Sequence, residues 1–304
     1  MPEAFESVNP KAALQIRMMT PRTVGGSSSF SVGAMRLEIS SPEGGAAAGQ
    51  LAHQNADCSG LLIVNADDWG RDPHTTDMIF DCAVRGAISS VSAMVFMEDS
   101  QRSAAIAREA GIDAGLHLNF TTPFSELRCP TQLLEHQWRI ARYLLRHPIA
   151  RAIFHPGLVR SFEYIVAAQI EEFRRLYQKE PDRMDGHHHM HLCANVLLSG
   201  QLPSGSIIRR YFSAEPGEKS LRNGLYRKFT RIVVGHRYRV VDGFFSLPPL
   251  ESRRLQHILK LSRQFVIEVE SHPVNVEEYR FLMEGEIFRL AGDLAIARRF
   301  ARAS

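Results

Sequence analysis

The chain has 304 residues, 44% hydrophobic and 23% charged, with 36 Lys and Arg against 33 Asp and Glu. This is the balance of an ordinary globular protein, long enough for one α/β barrel, and a net charge of +3 makes no case for a nucleic-acid partner. Cys58, Cys82, Cys129 and Cys193 form no CxxC pair, no apolar run reaches the roughly 18 residues of a membrane span, and charged residues interrupt the start where a signal peptide would be apolar. A cytoplasmic protein without a membrane span is expected.

Residues 1–58 carry Gly25-Gly26-Ser27 and Gly44-Gly45-Ala46 with few large apolar side chains. Such a segment buries too little to offset chain entropy and reads as a flexible extension, with a short strand at Met35–Ile39 as its one ordered candidate. Residues 59–304 read as the catalytic domain. Leu61-Leu62-Ile63-Val64 is an apolar run leading into Asn65-Ala66-Asp67-Asp68-Trp69-Gly70, as a buried parallel strand leads into a polar loop. A helix follows from Thr76 to Arg85, then a strand from Val91 to Phe96, a helix from Ser100 to Ala110 and a strand from Ala114 to Asn119. Residues 131–147 and 161–178 read as helices. Further strands fall at Met184–His187, Ile207–Tyr211, Val240–Phe245 and Phe265–Glu270. Alternating strands and helices predict a parallel α/β sheet, closed or nearly closed into a barrel, with an open doubly wound sheet as the alternative.

Polar residues able to bind a metal gather at the carboxyl ends of these strands, where α/β proteins assemble their sites. Two adjacent carboxylates, Asp67 and Asp68, repel unless a cation or proton intervenes, and could divide metal ligation from proton transfer. A helix N-cap is the plainer reading of the pair. His117 alternates with Leu116 and Leu118, and reads either as a core histidine or as a ligand. Asp185-Gly186-His187-His188-His189-Met190-His191 places four histidines in five positions. Extended, His187, His189 and His191 would share one face, and Asp185 could orient an imidazole from behind. Glu268-Val269-Glu270-Ser271-His272-Pro273 ends a strand in a histidine held extended by the proline, suited to a general acid or to a structural turn.

Together these segments resemble the YdjC-like carbohydrate deacetylases, the family that includes chitooligosaccharide deacetylase, from about residue 60 to the end. The resemblance implies an irregular (β/α) barrel, an N-acetylated sugar or oligosaccharide as substrate, a homodimer, and a divalent metal, magnesium with zinc as the alternative. It maps the metal to Asp68, His117 and His187, the catalytic base to Asp67 and the acid toward the leaving amine to His272. Asp185, His189, His191 and Trp69 then fall behind the ligands or against the substrate; Trp69 stands where the family usually has Phe, and Val274 where it often has Gly. The competing readings are a non-haem iron oxygenase or lyase on the same ligands, a metallo-phosphoesterase, and a sugar-binding relative without catalysis.

Overall fold

The computed structural model of the chain describes residues 60–213, 221–294 and 296–300. The expected extension over 1–58, the strand at Met35–Ile39 and Cys58 lie outside those residues. In chain order the first half runs β1 (Leu61–Trp69), α1 (Pro73–Val84), β2 (Ser90–Ala93), α2 (Ser100–Ala110), β3 (Ala114–Leu118), α3 (Thr131–Leu144) and α4 (Val159–Tyr177). The second half runs β4 (Arg183–Gly186), α5 (Ala194–Ser199), β5 (Ile207–Ile208), α6 (Leu221–Arg237), β6 (Gly243–Ser246), α7 (Ser252–Leu261), β7 (Val266–Ser271), α8 (Val276–Met283) and α9 (Glu286–Ala291).

The seven strands pair in the order β5-β4-β3-β2-β1-β7-β6, all parallel. Parallel neighbours need long crossovers, which the helices supply on the outer face. The two edge strands come back toward one another. Ile207 bridges Arg239, and the Ser213 N–H donates to the Phe244 carbonyl at 2.8 Å. The sheet therefore curls into an incomplete barrel rather than lying open.

Strand alternation then sorts the side chains. Leu62, Val64 and Ala66 of β1, Leu116 and Leu118 of β3, and Ile267 and Val269 of β7 join the large core under the helices. The α4 face that covers them repeats at helical spacing, with Phe162, Ile165, Gln169 and Phe173 buried. Each such phenylalanine contributes about 2–3 kcal/mol by burial. The alternate residues face the barrel interior. At one level they are apolar, with Ile63, Ile207 and Val241 packed on Phe300. At the next they are polar: Asn65, Asp67, Ser92, His117, Asp185, Glu268 and Glu270, all buried.

Four local expectations need correction. Helix α1 begins at Pro73 rather than Thr76, because Asp72 caps it and accepts from the Thr75 N–H at 2.8 Å. The strand expected over Ile207–Tyr211 is confined to Ile207–Ile208, and that over Val240–Phe245 is Gly243–Ser246. The histidine run is not extended: His187–Leu192 forms a 3-10 turn in which His188 and His189 adopt left-handed backbone, with φ of 56° and 57°.

Candidate active site

The site is built where β1, β3, β4, β5 and β7 end. Strand β1 carries a bulge: Ala66 pairs with Val91 but Trp69 with Ala93, so one extra residue is inserted. Asp68 sits in that bulge with a left-handed φ of 67°. A bulge breaks the inside–outside alternation and re-aims a side chain, which is how two consecutive carboxylates serve one site. Neither caps a helix, since Asp72 does that. Trp69, the next residue, is wholly buried in the outer core and does not line the site.

Asp68 Oδ2 accepts from Arg71 at 2.9 Å. Its Oδ1 lies 2.9 Å from His187 Nδ1 and 3.4 Å from His117 Nε2. Burial would raise the Asp68 carboxyl, but the two imidazoles beside it hold it far below the usual carboxylate range. Behind His117, Nδ1 donates to Asp185 Oδ1 at 2.7 Å. That contact fixes the tautomer and turns the Nε2 lone pair toward Asp68 and His187. Although burial disfavours its cationic form, the Asp67 and Asp185 charges push His117 up to about 10, so a proton competes for that lone pair.

Asp68 Oδ1 and His117 Nε2 are both buried and neither has a hydrogen-bond partner. Buried polar atoms without partners are costly. Asp68, His117 and His187 each bring one ligand atom within 4.8 Å of the others, and Asp67, His117 and Asp185 make an overlapping group. One carboxylate oxygen and two imidazole nitrogens form a donor set that suits a divalent cation. The residues therefore fit a metal.

The remaining histidines take other positions. His188 is exposed, packs on His187 with ring centroids 4.0 Å apart and the rings tilted by 33°, and meets the Thr121 hydroxyl at 3.1 Å. His189 packs on Phe212 at 4.6 Å and lies 3.7 Å from Glu270. His191 Nε2 donates to the Arg209 carbonyl at 2.9 Å, and burial pushes it down to about 4. Its Cβ lies 3.0 Å from where a Cβ on Gly186 would stand, so a larger residue there would crowd the turn. His272 directly follows β7, its N–H donating to Glu278 at 2.8 Å.

One functional-site residue escapes a reading of the sequence. Arg209, directly after β5, points into the barrel and is wholly buried. Its guanidinium pairs with Asp67 at 2.7 and 2.8 Å, Asp185 at 2.7 Å and Glu268 at 2.7 Å, and lies 5.0 Å over the Phe244 ring. A bidentate arginine is the usual partner of a buried carboxylate. Burial would raise Asp67, yet Arg209 outweighs it and holds the carboxyl low. Glu270, farther from the guanidinium at 3.5 Å, is instead pushed well up by burial and by Asp67. The available signal was positional: Arg209 ends an apolar strand, as Asp68, His187 and His272 do.

Fold and site thus define a β/α-barrel protein with a buried carboxylate–imidazole group able to take a metal at its strand ends. Residues 61–283 match the family described as YdjC-like protein, and the chain belongs to that family. It is similar to a carbohydrate deacetylase of Xenopus laevis, 28% identical over 139 residues, 44% of each chain. A chitooligosaccharide deacetylase of Enterobacter sp. (strain 638) is 31% identical over 140 residues, 43% of this chain and 50% of the relative. The chain spans about half the length of the curated relatives it matches. An Enterococcus faecalis chain described as a cellobiose-phosphate cleavage protein shares the fold, with a TM-score of 0.55 and 18% identity. That likeness covers 78% of this chain and 97% of the other.

Proposed function

We propose that this protein is a metal-dependent hydrolase that removes the acetyl group from an N-acetylated sugar. The observation that carries the reading is the convergence of the partnerless Asp68 Oδ1 and His117 Nε2 on His187, with another carboxylate, Asp67, alongside. The relatives named carbohydrate and chitooligosaccharide deacetylases support the reaction and the sugar class. Asp68, His117 and His187 would hold the cation, magnesium by family resemblance or zinc by its affinity for imidazole. Such a cation, when bound, polarises a carbonyl oxygen and lowers the pKa of water.

The chain's own residues do the rest. Asp185 holds the His117 Nδ1 proton, so Nε2 is the nitrogen left for a cation to take in place of the competing proton. Asp67 Oδ1 accepts from both Asn65 and Arg209, while Oδ2 accepts from Arg209 Nη1. A carboxylate oxygen has two lone pairs, so Oδ2 keeps one for the proton of the attacking water. Arg209 keeps Asp67 ionised, at some loss of basicity. His272 gives a proton to the amine nitrogen as the C–N bond breaks, and acetate and the free amino sugar leave.

An acetate-release screen over N-acetylated mono- and oligosaccharides, with chelator and with magnesium or zinc restored, tests this reading. Turnover should stop with chelator and return with metal. Asp67→Asn should keep the metal and lose turnover. Absence of acetate from every acetamido sugar tried with metal-loaded protein would overturn the assignment.

A further inference from the structure

Two stretches combine cations with exposed apolar side chains, and neither takes part in the site described above. Residues 136–162 contain Arg139, Arg142, Arg146, Arg151 and Arg160 and no Asp or Glu. Helix α6 contains Arg222, Arg227, Lys228, Arg231 and Arg237, again without an acid. A solvated helix places its charges outermost. In α6 the buried side is Thr230 and Val234, while Leu225, Phe229 and Ile232, spaced i, i+4, i+7, point outward. Leu225 is 72% exposed and Ile232 49%. The end of α3 and the turn after it expose Trp138, Leu145, Ile149 and Ile153 in the same way. Of the fifteen exposed large apolar side chains among the described residues, eight fall in these two stretches, which is a concentration rather than a scatter.

The two stretches meet. The Arg151 guanidinium lies 5.1 Å over the ring of Tyr226 in α6 and 5.9 Å over that of Tyr211. Beside them a cleft of about 340 Å³ is bordered by Arg210, Arg227, Lys228 and Arg231 over Tyr211 and Phe212. Arg210 is lowered by burial and then by the charge of Arg231, more than Asp242 restores. Lys228 and Arg231 stand exposed at the rim of the cleft. Phe212 also packs on His189, so the face adjoins the candidate active site.

We infer that α6, the end of α3 and residues 145–154 form a docking face for an anionic lipid bilayer. The apolar side chains enter the boundary between headgroups and acyl chains, and the flanking arginines and lysine meet lipid phosphates. Charge complementarity selects this occupant, and the outward apolar row distinguishes it from a polyanion held by charge alone. Attachment is peripheral: no helix among the described residues is long and apolar enough to cross a membrane.

The test uses the full chain with vesicles of phosphatidylcholine alone or mixed with phosphatidylglycerol. The protein has two tryptophans, Trp69 wholly buried and Trp138 exposed, so a blue shift on vesicle addition reports Trp138 entering lipid. The protein should co-sediment with the mixed vesicles and show that shift. Lys228→Glu/Arg231→Glu should lower partitioning about 30-fold or more, from roughly 1 kcal/mol per cation removed. Leu225→Ser/Phe229→Ser should also lower it, with circular dichroism showing that the variant remains folded. Failure of the wild type to bind mixed vesicles overturns the inference. So does full binding by Leu225→Ser/Phe229→Ser, which would make the face a general polyanion site for nucleic acid as well as lipid. A wild-type dimer that this variant splits into monomers would assign the face to a second copy instead.

Discussion

Replacing Arg209 by Met tests whether the buried arginine is the electrostatic keystone of the barrel interior. In the native protein it meets Asp67, Asp185 and Glu268 at 2.7 Å, all of them buried. Methionine fills much of the volume and removes the charge. Asp67 and Asp185 would then be buried anions without their cation, a loss of about 3–5 kcal/mol, against a total stability of order 5–15 kcal/mol for a domain. The sign with pH follows from linkage. In the wild type both carboxyls sit below their unfolded values, so their stabilisation is present above the unfolded pKa and is lost as pH falls through the folded one. In Arg209→Met they rise above the unfolded value of about 4, and acid restores stability to the variant. Urea unfolding of metal-free protein should therefore show a wide gap near neutrality that narrows toward about pH 4. Arg209→Lys should fall between the two, since one ammonium cannot span three carboxylates. A gap below about 1 kcal/mol, or one that does not change with pH, would refute the reasoning.

Asp185→Asn removes the anion behind His117 and should weaken metal binding about 10–100-fold; calorimetric titration finding unchanged affinity would dismiss Asp185 as a positioning residue. Gly115→Ala would put a Cβ 2.7 Å from Arg183 Nε and 3.0 Å from its carbonyl oxygen. Overpacking of that kind costs about 1–3 kcal/mol, readable as a lower urea midpoint with unchanged slope. His191, depressed from 6.5 to about 4, stays neutral when folded while the unfolded chain protonates. Its contribution is whole above about 6.5 and is lost as pH falls toward 4, at most about 3 kcal/mol. His191→Gln should flatten the stability profile across that window, and an unaltered profile would show that other groups carry it.

The sequence alone determined that strands alternate with helices and which strand ends carry polar groups, because both are local properties. An apolar run of β-branched residues states burial on both faces, and the residue after it states what lies at the sheet edge. Asp68, His117 and His187, which the structure brings together, were legible on that basis, as was Asp185 behind an imidazole. Tertiary structure decided the rest. The bulge that lets Asp67 and Asp68 serve one site is a mismatch between β1 and β2, and neither strand encodes it alone. The histidine run reads as an extended face, yet two left-handed residues turn it and send His187, His189 and His191 to separate partners. Arg209 in isolation reads as a surface cation. Only curling of the sheet places it amid carboxylates from β1, β4 and β7, because their approach depends on contacts between residues far apart in the chain.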